Sequence, residues 1–316
     1  MDVIYSFKKI LLPVDESKHS KKAITFAGKF LKYFIKDISQ ITIFHVIRLS
    51  YLTAHEKRID LRVEFLKESE LFKKLKEQYL KEKIKPILDE YEKILRDCGI
   101  TIEIIKRVDE GDPGNKIIEV LCKEDYFSVF LARRGISLTE SLVMGSVSTK
   151  VVYNAKKQVV YLIGEKFSED QVDSVSKILI PVDGSEYSKK AVEHAVYVVK
   201  GLGEKIKKIK LLRVINLDVY QERINQGIDP EKEAGENLSI AKKKFLDEYI
   251  PEKLIQTQVL IGIPSKEIIK EIKENNYDLV IIGRRGRSPL KDLVTGGVSS
   301  AIVYHCIEPT IAIINL

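Results

Sequence analysis

Tryptophan is absent from this 316-residue chain, and methionine occurs twice, cysteine three times and histidine five times. The three cysteines, Cys98, Cys122 and Cys306, form no Cys-x-x-Cys spacing. That excludes a disulfide framework or a thiolate metal site, and it fits buried thiols in a reducing compartment. His19, His45, His55, His194 and His305 are scattered, with no Ser/His/Asp set and no ligand-spaced cluster. Neither nucleophilic hydrolysis nor metal catalysis therefore finds its residues, and no catalytic residue is assigned. No apolar stretch reaches the roughly 18 residues of a membrane span. Met1 to Phe7 lacks the basic-then-apolar pattern of a leader, so a cytoplasmic chain with no membrane partner is expected. Charge of a single sign is lacking too: 53 Lys and Arg face 46 Asp and Glu, for a formal +7. The signs interleave, as in Lys67-Glu68-Ser69-Glu70, which is the pattern of a solvated helix face. No nucleic-acid motif accompanies the charge, so no nucleic-acid partner is expected.

What the chain does have is a repeat. Lys9-Ile10-Leu11-Leu12-Pro13-Val14-Asp15-Glu16-Ser17 recurs 168 positions on as Lys177-Ile178-Leu179-Ile180-Pro181-Val182-Asp183-Gly184-Ser185. Further along the offset is 151. Ala132-Arg133-Arg134-Gly135 matches Gly283-Arg284-Arg285-Gly286, and Gly145-Ser146-Val147-Ser148 matches Gly296-Gly297-Val298-Ser299. Blocks kept in order at a changed offset imply a duplicated domain with about 17 extra residues inside the first copy. The expected domains are 1–164 and 177–316, with 165–176 as a polar linker and the extra helical segment at about 51–98.

Each copy alternates apolar strands with amphipathic helices. Ser17 and Ser185 are placed to cap the first helix, whose inward faces are Ala23, Ala27, Phe30, Leu31 and Phe34, and Ala191, Ala195, Val198, Val199 and Leu202. Second strands are expected at 41–47 and 209–215, third strands at 100–108 and 255–261, fourth at 127–131 and 279–282, and last at 158–163 and 310–314. In copy one, Leu61, Phe65, Phe72, Leu75 and Tyr79 stripe a long charged helix, and a second helix from about Ile84 to Cys98 stops at Gly99. In copy two the matching region opens on a loop-like Asn225-Gln226-Gly227-Ile228-Asp229-Pro230. Continuous apolar strands with intervening helices imply an α/β fold: two duplicated, doubly wound, mostly parallel five-stranded sheets with helices on both faces.

In such sheets ligands bind beyond the carboxyl ends of the strands, near the switch in strand order. Asp15 or Asp183 follows strand one, and a glycine loop follows strand four. Glycines let backbone approach a ligand, and the N–H groups and dipole of the following helix face an anion. Two ordinary strand-to-helix turns would carry the same glycines, and spacing alone does not choose between these. The acid is equally open between holding ribose hydroxyls or a metal and capping its own turn.

These blocks, with His45-Val46 or Arg213-Val214 closing strand two and the Gly-x-Pro turns at Gly111 and Gly262, resemble the universal stress protein family in tandem form over nearly the full length. The resemblance implies a Rossmann-like, adenine-nucleotide α-hydrolase-like fold. It also implies ATP, ADP or AMP cradled by a Gly-x2-Gly-x9-Gly-(Ser/Thr) loop, with magnesium as a possible companion, adenine held by strand-two backbone, and a stress-linked regulatory role with at most slow hydrolysis. In the C-terminal copy this points to Pro181, Val182, Asp183, Val214, Gly283, Arg284, Arg285, Gly286, Gly296, Gly297, Val298 and Ser299. The secondary set is Asp15, Val46, Ala132, Gly135, Gly145, Ser146, Val147 and Ser148. Both copies depart from the motif. Ala132 adds a methyl at the first glycine, and Gly297 lacks the hydroxyl, a contact worth about 0.5–1.5 kcal/mol. The C-terminal site is accordingly ranked first. Family members pair their last strands across a dimer, and a tandem chain can satisfy this internally, with or without a further homodimer. If both sites are degenerate, the alternative is a nucleotide-free interaction or scaffold module acting through its paired domains. An ATP-pyrophosphatase-type enzyme would need a Ser-Gly-Gly-x-Asp-Ser loop where this chain has Pro-Val-Asp-Glu-Ser and Pro-Val-Asp-Gly-Ser.

Overall fold

The computed structural model describes residues 7–48, 70–134, 144–171, 175–284 and 297–315. The first half contributes strands β1 (Lys9–Val14), β2 (Gln40–Ile47), β3 (Ile104–Glu110), β4 (Ser128–Ala132) and β5 (Val159–Ile163). Its described helices are α1 (Lys18–Leu31), α2 (Glu70–Tyr79), α3 (Lys85–Asp97), α4 (Pro113–Lys123) and α5 (Ser146–Asn154). The second half contributes β6 (Lys177–Pro181), β7 (Lys208–Ile215), β8 (Ile255–Ile261), β9 (Leu279–Arg284) and β10 (Thr310–Asn315). Its described helices are α6 (Glu186–Leu202), α7 (Leu217–Asn225), α8 (Pro230–Leu246), α9 (Pro264–Asn275) and α10 (Val298–His305).

Local chemistry sets the helix ends. The Ser17 and Ser185 side chains accept the N–H groups of Ser20 and Ser188, and Asp112 accepts that of Asn115 ahead of Pro113. Gly99 ends α3 with a left-handed φ of 98°. The third strand begins at Ile104 rather than Ile100, because Ile100 still bonds back to Leu95 and Arg96 takes the carbonyls of Ile100 and Ile102. Between α2 and α3 the chain does not break. It widens into a π turn at Leu80–Ile84, with the Lys85 N–H reaching Leu80, just before Pro86, which has no N–H to give. Leu61 and Phe65 lie outside the described residues. In the second half a helix, α7, precedes the expected loop; the Asn216 side chain caps it by accepting the Asp218 N–H.

The two expected sheets are one. Its ten strands run β3-β2-β1-β4-β5-β10-β9-β6-β7-β8, parallel within each half and antiparallel only at β5–β10. The repeat persists in the register. Ile10 faces Ser128 as Ile178 faces Leu279, and Ile41 faces Ile104 as Ile209 faces Ile255. At the junction Tyr161 faces Ala312, and these are each other's counterparts in the repeat. The pseudo-twofold therefore passes between a large and a small side chain. Tyr161 is fully buried, stacks on Phe130 at 4.4 Å, and pairs its hydroxyl with His194 Nε2 at 2.6 Å. Phe7, Phe30 and Phe34 complete this aromatic cluster on one face of the sheet. On the same face Gly201 of α6 lets the Phe34 ring come close, since an added Cβ would lie 2.0 Å from it.

Candidate functional site

In each half the strand order turns at the first and fourth strands, β1 beside β4 and β6 beside β9. The segments leaving these strands diverge there, which opens a crevice at their carboxyl ends. Asp15 and Ala132 border it in the first half, Asp183 and Gly283 in the second. Val46 and Val214 are buried at the ends of β2 and β7 beside it, and Val182 is buried just before Asp183.

Both acids tie down their own turns. Asp15 Oδ1 accepts the Ser17 N–H at 3.0 Å and the Ser20 hydroxyl at 2.7 Å. Asp183 Oδ1 accepts the Ser185 N–H at 2.9 Å and its hydroxyl at 2.5 Å. Partial burial raises the Asp183 carboxyl, but the Ser185 and Ser188 hydrogen bonds and the Arg213 charge outweigh it and hold the pKa below the usual value. Arg213 itself escaped the sequence reading as a site residue. Its counterpart is His45, a buried ring whose Nδ1 sits 3.1 Å from the Val14 carbonyl, which requires that nitrogen to carry the proton. Burial lowers the His45 pKa and favours the neutral ring, where the second half has a guanidinium.

The strand-four glycine has a cause the sequence did not reveal. A Cβ on Gly283 would lie 2.2 Å from the Tyr187 carbonyl oxygen, so the first turn of α6 rests on that Cα. Ala132 keeps its methyl at the matching place, so α1 must stand farther off. Gly135, Arg285, Gly286 and Gly296 lie outside the described residues. Gly145 and Gly297 are the N-caps of α5 and α10, and among the described residues nothing lies within 4 Å of a Cβ placed on Gly297. The first turns after these caps present N–H groups that no helix carbonyl can take. Ser146 is exposed, Val147 half-buried, and the Ser148 hydroxyl is committed to the Ala132 carbonyl at 2.7 Å. Val298 is exposed, and Ser299 lines a shallow crevice with Arg284, Val152 and Tyr153.

Arg284, expected beside the phosphate loop, is spent on the other half. It is 4 % exposed, donates to the Val152 carbonyl in the last turn of α5, and lies 4.5 Å from the Tyr153 ring. Arg133, its counterpart, is 2 % exposed and donates to the carbonyls of Val303 and Cys306 at the end of α10, at 2.9 and 2.8 Å. Burial pulls the Arg133 pKa down to about 10, which leaves it charged at neutral pH. Each arginine thus satisfies orphan carbonyls, and the negative dipole end, of the opposite half's last helix.

The two carboxyl edges are covered differently. Over the first half Tyr91 donates to the Asp15 carbonyl at 2.8 Å, Tyr79 donates to Glu16 at 3.0 Å, and Lys76 pairs with Glu110. The α2–α3 segment therefore spans from the end of β1 to the end of β3. Over the second half Ala241, between the buried Leu238 and Phe245 of α8, stands where Tyr91 stands between Leu88 and Leu95 of α3; Asp183 is exposed, and α7 buries no residue. Among the described residues no group of three or more His, Cys, Asp or Glu side chains is arranged to hold a metal, and no helix is long and apolar enough to cross a membrane.

The family model described as the universal stress protein family matches twice, over 6–162 and 174–313. A universal stress protein of Methanocaldococcus jannaschii is 28% identical over 137 residues, 41% of this chain and 78% of that protein. One from Mycolicibacterium smegmatis is 22% identical over 238 residues, 72% of this chain and 75% of that protein. The crystal structure of a universal stress protein from Archaeoglobus fulgidus superposes with a TM-score of 0.66 at 21% identity, covering 97% of this chain and 98% of that one. At that identity the likeness concerns the fold.

Proposed function

We propose, for a chain that belongs to the universal stress protein family as a tandem of two of its domains, that it is a cytoplasmic regulatory protein binding an adenine nucleotide (ATP, ADP or AMP) in the C-terminal domain. The observation that carries this is the contrast between the carboxyl edges. Among the described residues of the β6–β9 edge, Asp183 is exposed, nothing lies within 4 Å of a Cβ placed on Gly297, and the first turn of α10 offers its N–H groups. Phosphates would lie at Gly297, Val298 and Ser299, where orphan donors and the helix dipole favour an anion. The bonds from Ser185 both fall on Asp183 Oδ1, and the same carboxylate would take a ribose hydroxyl. Adenine would lie against the backbone around Val214, with Pro181 and Val182 below. Arg284 is dropped from this contact set, since its guanidinium is spent on α5. Magnesium would arrive with the phosphates. The role assigned is regulatory binding, with at most slow hydrolysis.

The secondary site, at Asp15, Val46, Ala132 and Gly145–Ser148, is the poorer candidate because α2–α3 is anchored across it and Ser148 is occupied. The test is to denature purified protein, identify released nucleotide, and titrate ATP with and without magnesium. Saturable binding mapped to the second half is expected. No released nucleotide and no binding at millimolar ATP would remove the proposal. That outcome would favour the second reading, an interaction module, for which the exposed Leu217, Val219 and Ile224 on α7 are the supporting observation.

A further inference from the structure

Arg133 and Arg284 are counterparts in the repeat, both are buried, and each crosses the pseudo-twofold to do the same work. Arg133 leaves the end of β4 and holds Val303 and Cys306 at the last turn of α10. Arg284 leaves the end of β9 and holds Val152 at the last turn of α5. Each held helix is short, nine residues for α5 and eight for α10. A pull on its carboxyl end is therefore felt within about two turns at its amino end. That amino end is where each domain offers its N–H groups, and Ser299 and Ser300 of α10 share a crevice wall with Arg284 and Val152. An ordinary interface needs apolar packing, and this one has it where Tyr161 faces Ala312 and where Phe7 and Phe34 meet Tyr197. Two desolvated guanidiniums are not needed for that, and burying them is costly unless their bonds fix something.

We propose that Arg133 and Arg284 are positioning residues acting across the domain pair, each setting the phosphate-facing helix of the opposite domain. The C-terminal site then depends on an arginine of the N-terminal domain, and events in the two strand-four loops are linked. This rests on the nucleotide reading above and extends it to how the site is held. It also gives the tandem arrangement a function: separated domains would each lose the hold on their last helix.

The experiment is hydrogen exchange of the full chain with and without ATP, read on peptides covering 297–306 and 146–155, for wild type, Arg133→Met and Tyr161→Phe. Tyr161→Phe removes an interface hydrogen bond without touching either helix end, and so reports general loosening. Expected are ATP protection of 297–306 in wild type, ATP binding weakened about fivefold or more in Arg133→Met, and near wild-type binding in Tyr161→Phe. Equal protection in wild type and Arg133→Met overturns the positioning role while nucleotide binding stands, and so does equal weakening in both variants. Absence of ATP protection in wild type removes the nucleotide reading and this inference with it. Should Arg133→Met not fold, Arg133→Lys, which keeps the charge but replaces the two-pronged guanidinium with a single ammonium nitrogen, takes its place with the same outcomes.

Discussion

The two halves share a strand register and differ where their faces meet something else. The junction shows this first. Tyr161 and Ala312 are the same position in two copies, yet one fills the pseudo-twofold axis and the other makes room for it. Two tyrosines would overlap and two alanines would leave a void, so duplication inside one chain allows a complementary pair that a symmetric dimer of identical domains cannot have. The largest predicted effect follows. Tyr161→Ala should cost about 3–5 kcal/mol in urea unfolding, as for other large aromatic truncations, whereas Ala312→Gly should cost about 0.5–1 kcal/mol. Equal losses would mean that the axis is not packed around Tyr161.

The strand-four ends supply a second contrast. At Gly283 the backbone of Tyr187 occupies the place of a side chain, while Ala132 carries one in the other half. Gly283→Ala should therefore destabilise by about 3 kcal/mol, the upper part of the overpacking range, because backbone cannot swing aside. Ala132→Gly should cost about 0.5–1 kcal/mol. A Gly283→Ala protein with wild-type stability but lost ATP binding would show that ligand, and not α6, requires the glycine.

Much of this architecture could be read from the chain because duplication is a one-dimensional signal. The shift from offset 168 to 151 falls between β2 and β3, where α2 enters, and the apolar runs gave the strands to within a few residues. The caps at Ser17 and Ser185 were legible because they act over three residues. What stayed hidden acts across distance in sequence. Arg284 looked like a loop cation, and only the pseudo-twofold brings it to Val152, 132 positions away. Gly283 matched a phosphate motif, and nothing local announced Tyr187. The helix α7 was missed because none of its residues is buried, so no apolar periodicity marks it.

The smallest predicted effect concerns the approach to β6 and is read by pH. Asp278 precedes β9 and accepts the N–H groups of Ser176 and Lys177, both at 2.9 Å, and the Ser176 hydroxyl at 2.8 Å, while Lys166 pairs with it at 2.5 Å. These bonds pin the end of the linker to the second half; the matching position in the first half is Phe127, which has no such role. Partial burial raises the Asp278 carboxyl, but Lys166 and the Ser176 and Lys177 donors outweigh it and hold the pKa below 3.8. Because the folded value is depressed, this stabilisation is fully present above the unfolded value of 3.8 and is lost as pH falls through the folded one. Asp278→Asn should cost about 1.5 kcal/mol at neutral pH, the lower value for hydrogen bonds to a charged group. It should also flatten the fall of the urea midpoint below about pH 4 relative to wild type. Parallel acid profiles for the two proteins would mean that the carboxylate does not hold the linker, and that the second half is anchored by Phe167 and the sheet junction alone.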